Sequence, residues 1–174
     1  MPFWSNLIGY QVAWFITVFG AGHGSTWPGV LATSAFCAAN LAMSRERLLD
    51  LKLIGMAVLF GLLSDGSLDA LNLLHYSAPH PSIPTSTGAP LWILTLWCAF
   101  AVTLNRSLQW VQRRPPAAAA FGALGGPLAY SGAGRGWGAV EFVAPAWRAE
   151  IWLAVSWATA MYLFACVIRG VSSK

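Results

Sequence analysis

Asp65 and Asp69 are the two residues whose type and spacing most directly invite chemistry. On a helix they sit one turn apart, and Asn72 falls on the same face. A carboxylate inside an apolar stretch is expensive, on the order of 2.5–3.5 kcal/mol at a bilayer centre on insertion scales, unless it is protonated, paired or wetted. A buried pair of this kind is suited to proton carriage, general acid–base work or metal ligation. The plain structural reading competes with these. Ser64 and Gly66 would let Asp65 cap a broken helix, or the carboxyl would be a hydrogen-bonded strut. A carboxyl in hydrocarbon must find its partner within the protein, and Gln11, Asn72, Tyr130 and Arg135 are the candidates. Asp65 is therefore expected to face the interior of a bundle.

The remaining polar groups within apolar sequence are Asn6 and Gln11 near the start, and Thr103, Asn105 and Arg106 further on. Amides in such settings usually join helices to one another. Arg106 is expected to snorkel to a surface. His23, His75 and His80 lack the tight spacing of a zinc motif, so they read as solvated loop residues, and no metal or other cofactor is expected. Cys37, Cys98 and Cys166 are far apart within apolar runs and read as small buried hydrophobes. The alternating glycines 132, 134, 136 and 138 carry no Gly-Lys-Ser/Thr ending and are not a phosphate loop.

Composition says what must hold these groups. Hydrophobic residues make up 57% and charged residues 9% of 174, against about 25% charged in soluble proteins. So few charges cannot coat a soluble domain, and so much apolar sequence excludes disorder. The ten Lys and Arg are scattered, with no basic stripe for a nucleic acid. The expected solvent is lipid, and the expected architecture is all-α: a single transmembrane domain over residues 1–174, a polytopic bundle of about six helices.

Spans need about 20 mostly apolar residues. They are expected at Trp4–Ala21, Trp27–Met43, Leu51–Leu74, Pro90–Trp110, Ala117–Tyr130 and Glu150–Ile168. The first lacks a basic leader and a cleavage site, so it reads as an uncleaved helix. The third is expected to continue through Ser64–Ser67. The fifth is short, full or re-entrant, with the glycines from 132 to 138 ending it. The stretch between the third and fourth spans, rich in Pro, Ser and Thr, reads as loop. With the N-terminus inside, the inner segments hold Arg45, Arg47, Lys52, Arg106, Arg113, Arg114, Arg169 and Lys174, and the outer ones Arg135 and Arg148. That bias puts both termini in the cytoplasm. Trp4, Trp27, Trp92, Trp110, Trp147 and Trp152 fall near span ends, and Trp14, Trp97 and Trp157 are mid-span and expected to pack between helices. Gly122 and Gly126 form a small-xxx-small packing surface.

Three stretches carry a family resemblance: NLIGYQVAWF (Asn6 to Phe15), LWCAFAVTLNRSLQW (Leu96 to Trp110) and GALGGPLAYSGAGRGWGAV (Gly122 to Val140). They resemble the small multi-pass bacterial inner-membrane proteins grouped as domain of unknown function 2878. The resemblance implies a location and a fold but no reaction. Members encoded near lipid-modifying enzymes imply a lipid-related role, with membrane lipids as partners. Asp69 and the outer histidines are not features that the resemblance carries.

Three functions stay open. The polar residues would line a path for protons or a small lipid-like molecule, in a binding or transport role. Asp65 and Asp69 would instead serve a membrane-embedded lipid-modifying enzyme. Or the chain would be a non-catalytic partner that holds a lipid enzyme at the membrane. No motif decides whether it is an enzyme or names a protein partner.

Overall fold

The structure, a computed structural model, describes residues 1–172. Lys174, counted above among the inner charges, lies outside them. About 74% of the chain is helical. The helices are α1 (Phe3–Gly22), α2 (Trp27–Ala42), α3 (Arg47–Ala70), α4 (Leu91–Leu104), α5 (Gln109–Gln112), α6 (Pro115–Trp137) and α7 (Trp147–Ser172). The all-α expectation holds, with two small strand pairs added. Strand β1 (Leu74–Tyr76) pairs antiparallel with β4 (Val140–Phe142), and β2 (Ser82–Ile83) with β3 (Ala89–Pro90).

The first two helices lie within a residue of their expected bounds. Later elements depart from expectation for local reasons. Helix α3 does run unbroken through Ser64–Ser67, but it ends at Ala70, and Asn72 takes a left-handed φ of 53° in the turn that follows. The expected loop beyond it is partly strand. The expected fourth span is split: α4 stops at Leu104, and Asn105, Arg106 and Ser107 each bond to another element instead of continuing the helix. Helix α6 is longer than expected. Pro115 starts it, where a missing N–H is free. The glycines at 132, 134 and 136 lie inside it, and Gly138 alone ends it, in the left-handed conformation with φ 65°. Tertiary packing outweighs the intrinsic cost of glycine in a helix, about 1 kcal/mol each.

That packing is closest between α6 and α7. A Cβ on Gly126 would stand 2.5 Å from Cγ of Trp157, and one on Gly122 would stand 2.4 Å from the Trp157 carbonyl oxygen. The expected Gly122/Gly126 surface therefore holds the α7 backbone at short range. Gly126→Leu is expected to destabilise the protein by roughly 1–3 kcal/mol, as overpacking does. Thermal unfolding in detergent checks it, and an unchanged midpoint contradicts the contact.

Hydrogen bonds show which loops share an end. Thr26 donates to the carbonyl of His80 at 2.7 Å, and β1 joins β4, so the loops after α1, α3 and α6 gather at one end. Asn105 bonds Glu46, and Ser107 bonds Asn6, so the start of α1, the α2–α3 turn and the end of α4 gather at the other. One helix among the described residues, over Trp147–Val171, is long and apolar enough to cross a membrane by itself, with mean hydropathy 1.9. Helices α2 and α4 are short, with 16 and 14 residues, and α6 is diluted by glycines and Pro127.

Candidate functional site

Asp65 sits on the buried stripe of α3, in register with Leu53, Ala57, Gly61 and Leu68. Its side chain is 0% exposed. Three donors converge on the carboxyl group. The Tyr76 hydroxyl donates to Oδ1 at 2.9 Å, the Tyr130 hydroxyl donates to the same oxygen, and the Trp97 indole N–H donates to Oδ2 at 2.8 Å. No Lys, Arg or His among the described residues is hydrogen-bonded or ion-paired to it. An acceptor-only carboxylate suits three donors.

Each donor arrives on a different element. Tyr76 hangs from β1, whose pairing with β4 sets Tyr76 opposite Val140 and folds the strand over the end of α3. Its ring lies edge-on to Trp92 at 5.9 Å. Burial pushes the Tyr76 phenol well above its ordinary range, and the charge of Asp65 adds to the shift. Trp97 comes from α4 and stacks on Trp157 of α7 at 4.4 Å, as expected of mid-span rings that pack between helices. Tyr130 comes from α6. Asp65 therefore ties α3, α4, α6 and the β1–β4 cap at one point.

Of the partners expected for Asp65, Tyr130 is in place and three are not. Gln11 is exposed on the flank of α1. Asn72 is exposed in the turn beyond α3, because that helix ends before the position expected to share its face. Arg135 is exposed, lining a shallow depression with Glu141 and Glu150. Asp69 is half-buried, outside the three-donor cluster. The sequence reading missed Tyr76 and Trp97 as partners. Tyr76 had no readable signal, because a loop residue reaches Asp65 only through strand pairing.

A second polar centre lies at the opposite end. Asp50, 0% exposed, pairs with Arg106 at 2.7 Å and accepts from Ser44 at 2.5 Å. The Arg106 guanidinium also donates to the carbonyls of Val102 and Asn40. Arg106 thus does not snorkel: the buried carboxylate holds it in. Asn6 donates to Asn40 at 2.8 Å and accepts from Ser107 at 2.5 Å, as the helix-joining reading of amides expects. Asn105 donates to Glu46 at 2.5 Å. Thr103 spends its hydroxyl on the Phe100 carbonyl of its own helix. Asp50 went unread among its charged neighbours, although it lies on the same buried stripe as Leu53, Ala57 and Asp65.

Beside the Asp65 centre lies a cavity of about 40 Å³, walled by Trp97, Trp92, Tyr130 and Trp157 among others. It shares Tyr10, Trp14, Phe100, Ala129 and Trp157 with a groove of about 370 Å³ between α1 and α6, which also takes in Gln11 and Leu128. Asp65 does not line the cavity. It acts there through Tyr130 and Trp97, whose donors it holds. Among the described residues no three His, Cys, Asp or Glu side chains cluster as a metal site would need.

The same geometry spans the three stretches singled out in the sequence: Tyr10 and Trp14 from the first, Trp97 from the second and Tyr130 from the third. A family model described as "Protein of unknown function (DUF2878)" matches residues 3–163. The chain belongs to the DUF2878 family. The match takes in both polar centres of this DUF2878 protein and the groove. No curated protein and no solved structure gives a significant match.

Proposed function

We propose that this DUF2878 protein is a multi-pass inner-membrane protein that binds a lipid-like molecule in the groove between α1 and α6. One observation carries the reading: the groove is walled by aromatic rings, opens on the flank of the molecule and leads to the cavity beside Asp65. The helix sides facing outward are apolar. Ile8, Leu31, Leu63, Leu124, Leu128 and Val155, on five helices, are all exposed. A soluble monomer rarely shows so much apolar surface, and a bilayer would cover it. The charges support the same arrangement. Arg45, Arg47, Arg106, Arg113 and Arg114 belong to the end where the α2–α3 turn and the α4–α6 connection meet, which suits a cytoplasmic end.

Asp65 is then a positioning residue: it aims Tyr130 and Trp97 at the cavity wall. Its oxygens are taken up by protein donors, which favours binding or transport over acid–base catalysis by Asp65 itself. Two measurements test the reading. A periplasm-active reporter inserted after Ser82 should be active and one fused after Lys174 should not; the opposite result at either site defeats the topology. Protein purified in mild detergent should carry lipid, by mass spectrometry, without stoichiometric metal. A stoichiometric protein partner without lipid would favour the scaffold role, and one metal per chain would favour an enzyme.

A further inference from the structure

We infer that the ligand of the groove is an uncharged long-chain alcohol, with its chain between α1 and α6 and its hydroxyl in the cavity beside Tyr130. The inference rests on the lipid-binding reading and narrows it. The groove and cavity supply hydrogen-bonding groups of known direction. Tyr10 and Trp14 lie one turn apart on α1, line both spaces, and have no hydrogen-bond partner for their hydroxyl and indole N–H among the described residues. Tyr130, across the cavity on α6, gives its proton to Asp65 and is left with oxygen lone pairs alone to offer a ligand. Trp97 and Trp92 spend their N–H groups on Asp65 and on the Ala78 carbonyl. Trp157, which also lines both spaces, holds a buried indole N–H with no partner among the described residues. A ligand head must therefore accept from Tyr10, Trp14 or Trp157 and donate to Tyr130. One hydroxyl does both.

The other head groups fail on the same count. Neither space is lined by Lys, Arg or His, and Asp65 stands directly behind Tyr130. A carboxylate or phosphate there would be a buried anion with no counter-charge, facing another carboxylate. An ammonium group has no lone pair for the Trp14 N–H. A plain hydrocarbon would leave Tyr10 and Trp14 unpaired once it displaced water. Size agrees as well. A cavity of about 40 Å³ holds about three water-sized groups, taking roughly 10–15 Å³ for each. That suits a hydroxyl and its first carbons and is tight for a phosphodiester head.

The test uses the full-length protein in phosphatidylcholine nanodiscs. A hexadecanol and a hexadecane, each carrying a mid-chain diazirine, are photolysed with it, and labelled peptides are mapped. The alcohol probe should label peptides containing Tyr10–Trp14 and Leu128–Tyr130. Unlabelled 1-hexadecanol should compete on the order of tenfold better than hexadecane, palmitate, hexadecylamine or hexadecyl phosphate, the value of one well-made hydrogen bond. Tyr10→Phe, which removes one of these donors and keeps the ring, should reduce that advantage, and Tyr10→Phe with Trp14→Phe should reduce it further, while the hexadecane probe still labels the groove. If both probes label the groove and the alcohol competes no better than the others, the alcohol assignment is overturned while the lipid-groove reading stands. If neither probe labels the groove, both are overturned.

Discussion

Asp50→Ala is expected to lower stability by about 3–5 kcal/mol, the usual result of removing one partner from a buried ion pair. The carboxylate is fully buried and the Arg106 side chain is 10% exposed, so the guanidinium left behind has little water to turn to. Its remaining contacts, to the Val102 and Asn40 carbonyls, satisfy donors but supply no counter-charge. Arg106→Ala should do comparable damage by stranding Asp50 with Ser44 as its remaining partner. The double substitution Asp50→Leu with Arg106→Met separates a pairing effect from a packing effect. Replacing both charges with apolar groups of similar size is often neutral or stabilising. The double variant should therefore unfold at a higher temperature in detergent than either single variant. A double variant as unstable as the sum of the two singles would show that the pair is not the source of the loss.

At the opposite end, Asp65→Asn is expected to cost about 1–3 kcal/mol, and the loss should arise at Trp97. The amide keeps one acceptor oxygen, which can serve Tyr76 and Tyr130 together as Oδ1 does now. Its NH2 group must then face the Trp97 indole N–H, donor against donor, where Oδ2 accepted at 2.8 Å. Adding Trp97→Phe removes the opposed N–H and should recover part of the stability lost to Asp65→Asn. In the parent protein Trp97→Phe alone should be destabilising, because it leaves Oδ2 unpaired. The sign change between the two backgrounds is measured by a double-mutant cycle on thermal unfolding. Equal effects of Trp97→Phe in both backgrounds would rule out the hydrogen bond as the coupling.

These two centres differ in how far they could be read from the chain. Composition and apolar periodicity were enough for a helical protein and for helices α1 and α2 nearly to the residue, because local burial patterns and end signals are properties of short segments. The continuity of α3 through Ser64–Ser67 was also legible, since stopping there would have left too short an apolar run. The cost of a lone carboxyl group in apolar sequence pointed to Asp65 as an inward residue, and Tyr130 was among its few reachable partners. The three stretches Asn6–Phe15, Leu96–Trp110 and Gly122–Val140 were enough for the family.

What tertiary structure decided is which groups meet. Tyr76 reaches Asp65 because Leu74–Tyr76 pairs with Val140–Phe142, across more than sixty residues of chain, and two three-residue strands leave no periodic trace in sequence. Asn72 left the Asp65 face because its own left-handed turn ends the helix, a choice that Leu73 and Leu74 make favourable by being buried in the core. Arg106 turned inward because Asp50 was there to receive it, 56 residues away. Glycines 132, 134 and 136, expected to end α6, stayed helical up to Gly138, with Gly134 packed against Val140 of β4, where a Cβ would stand 2.8 Å from the carbonyl oxygen. In each case a long-range contact overrode a local preference worth about 1 kcal/mol or less, and the sequence alone records the preference but not the contact.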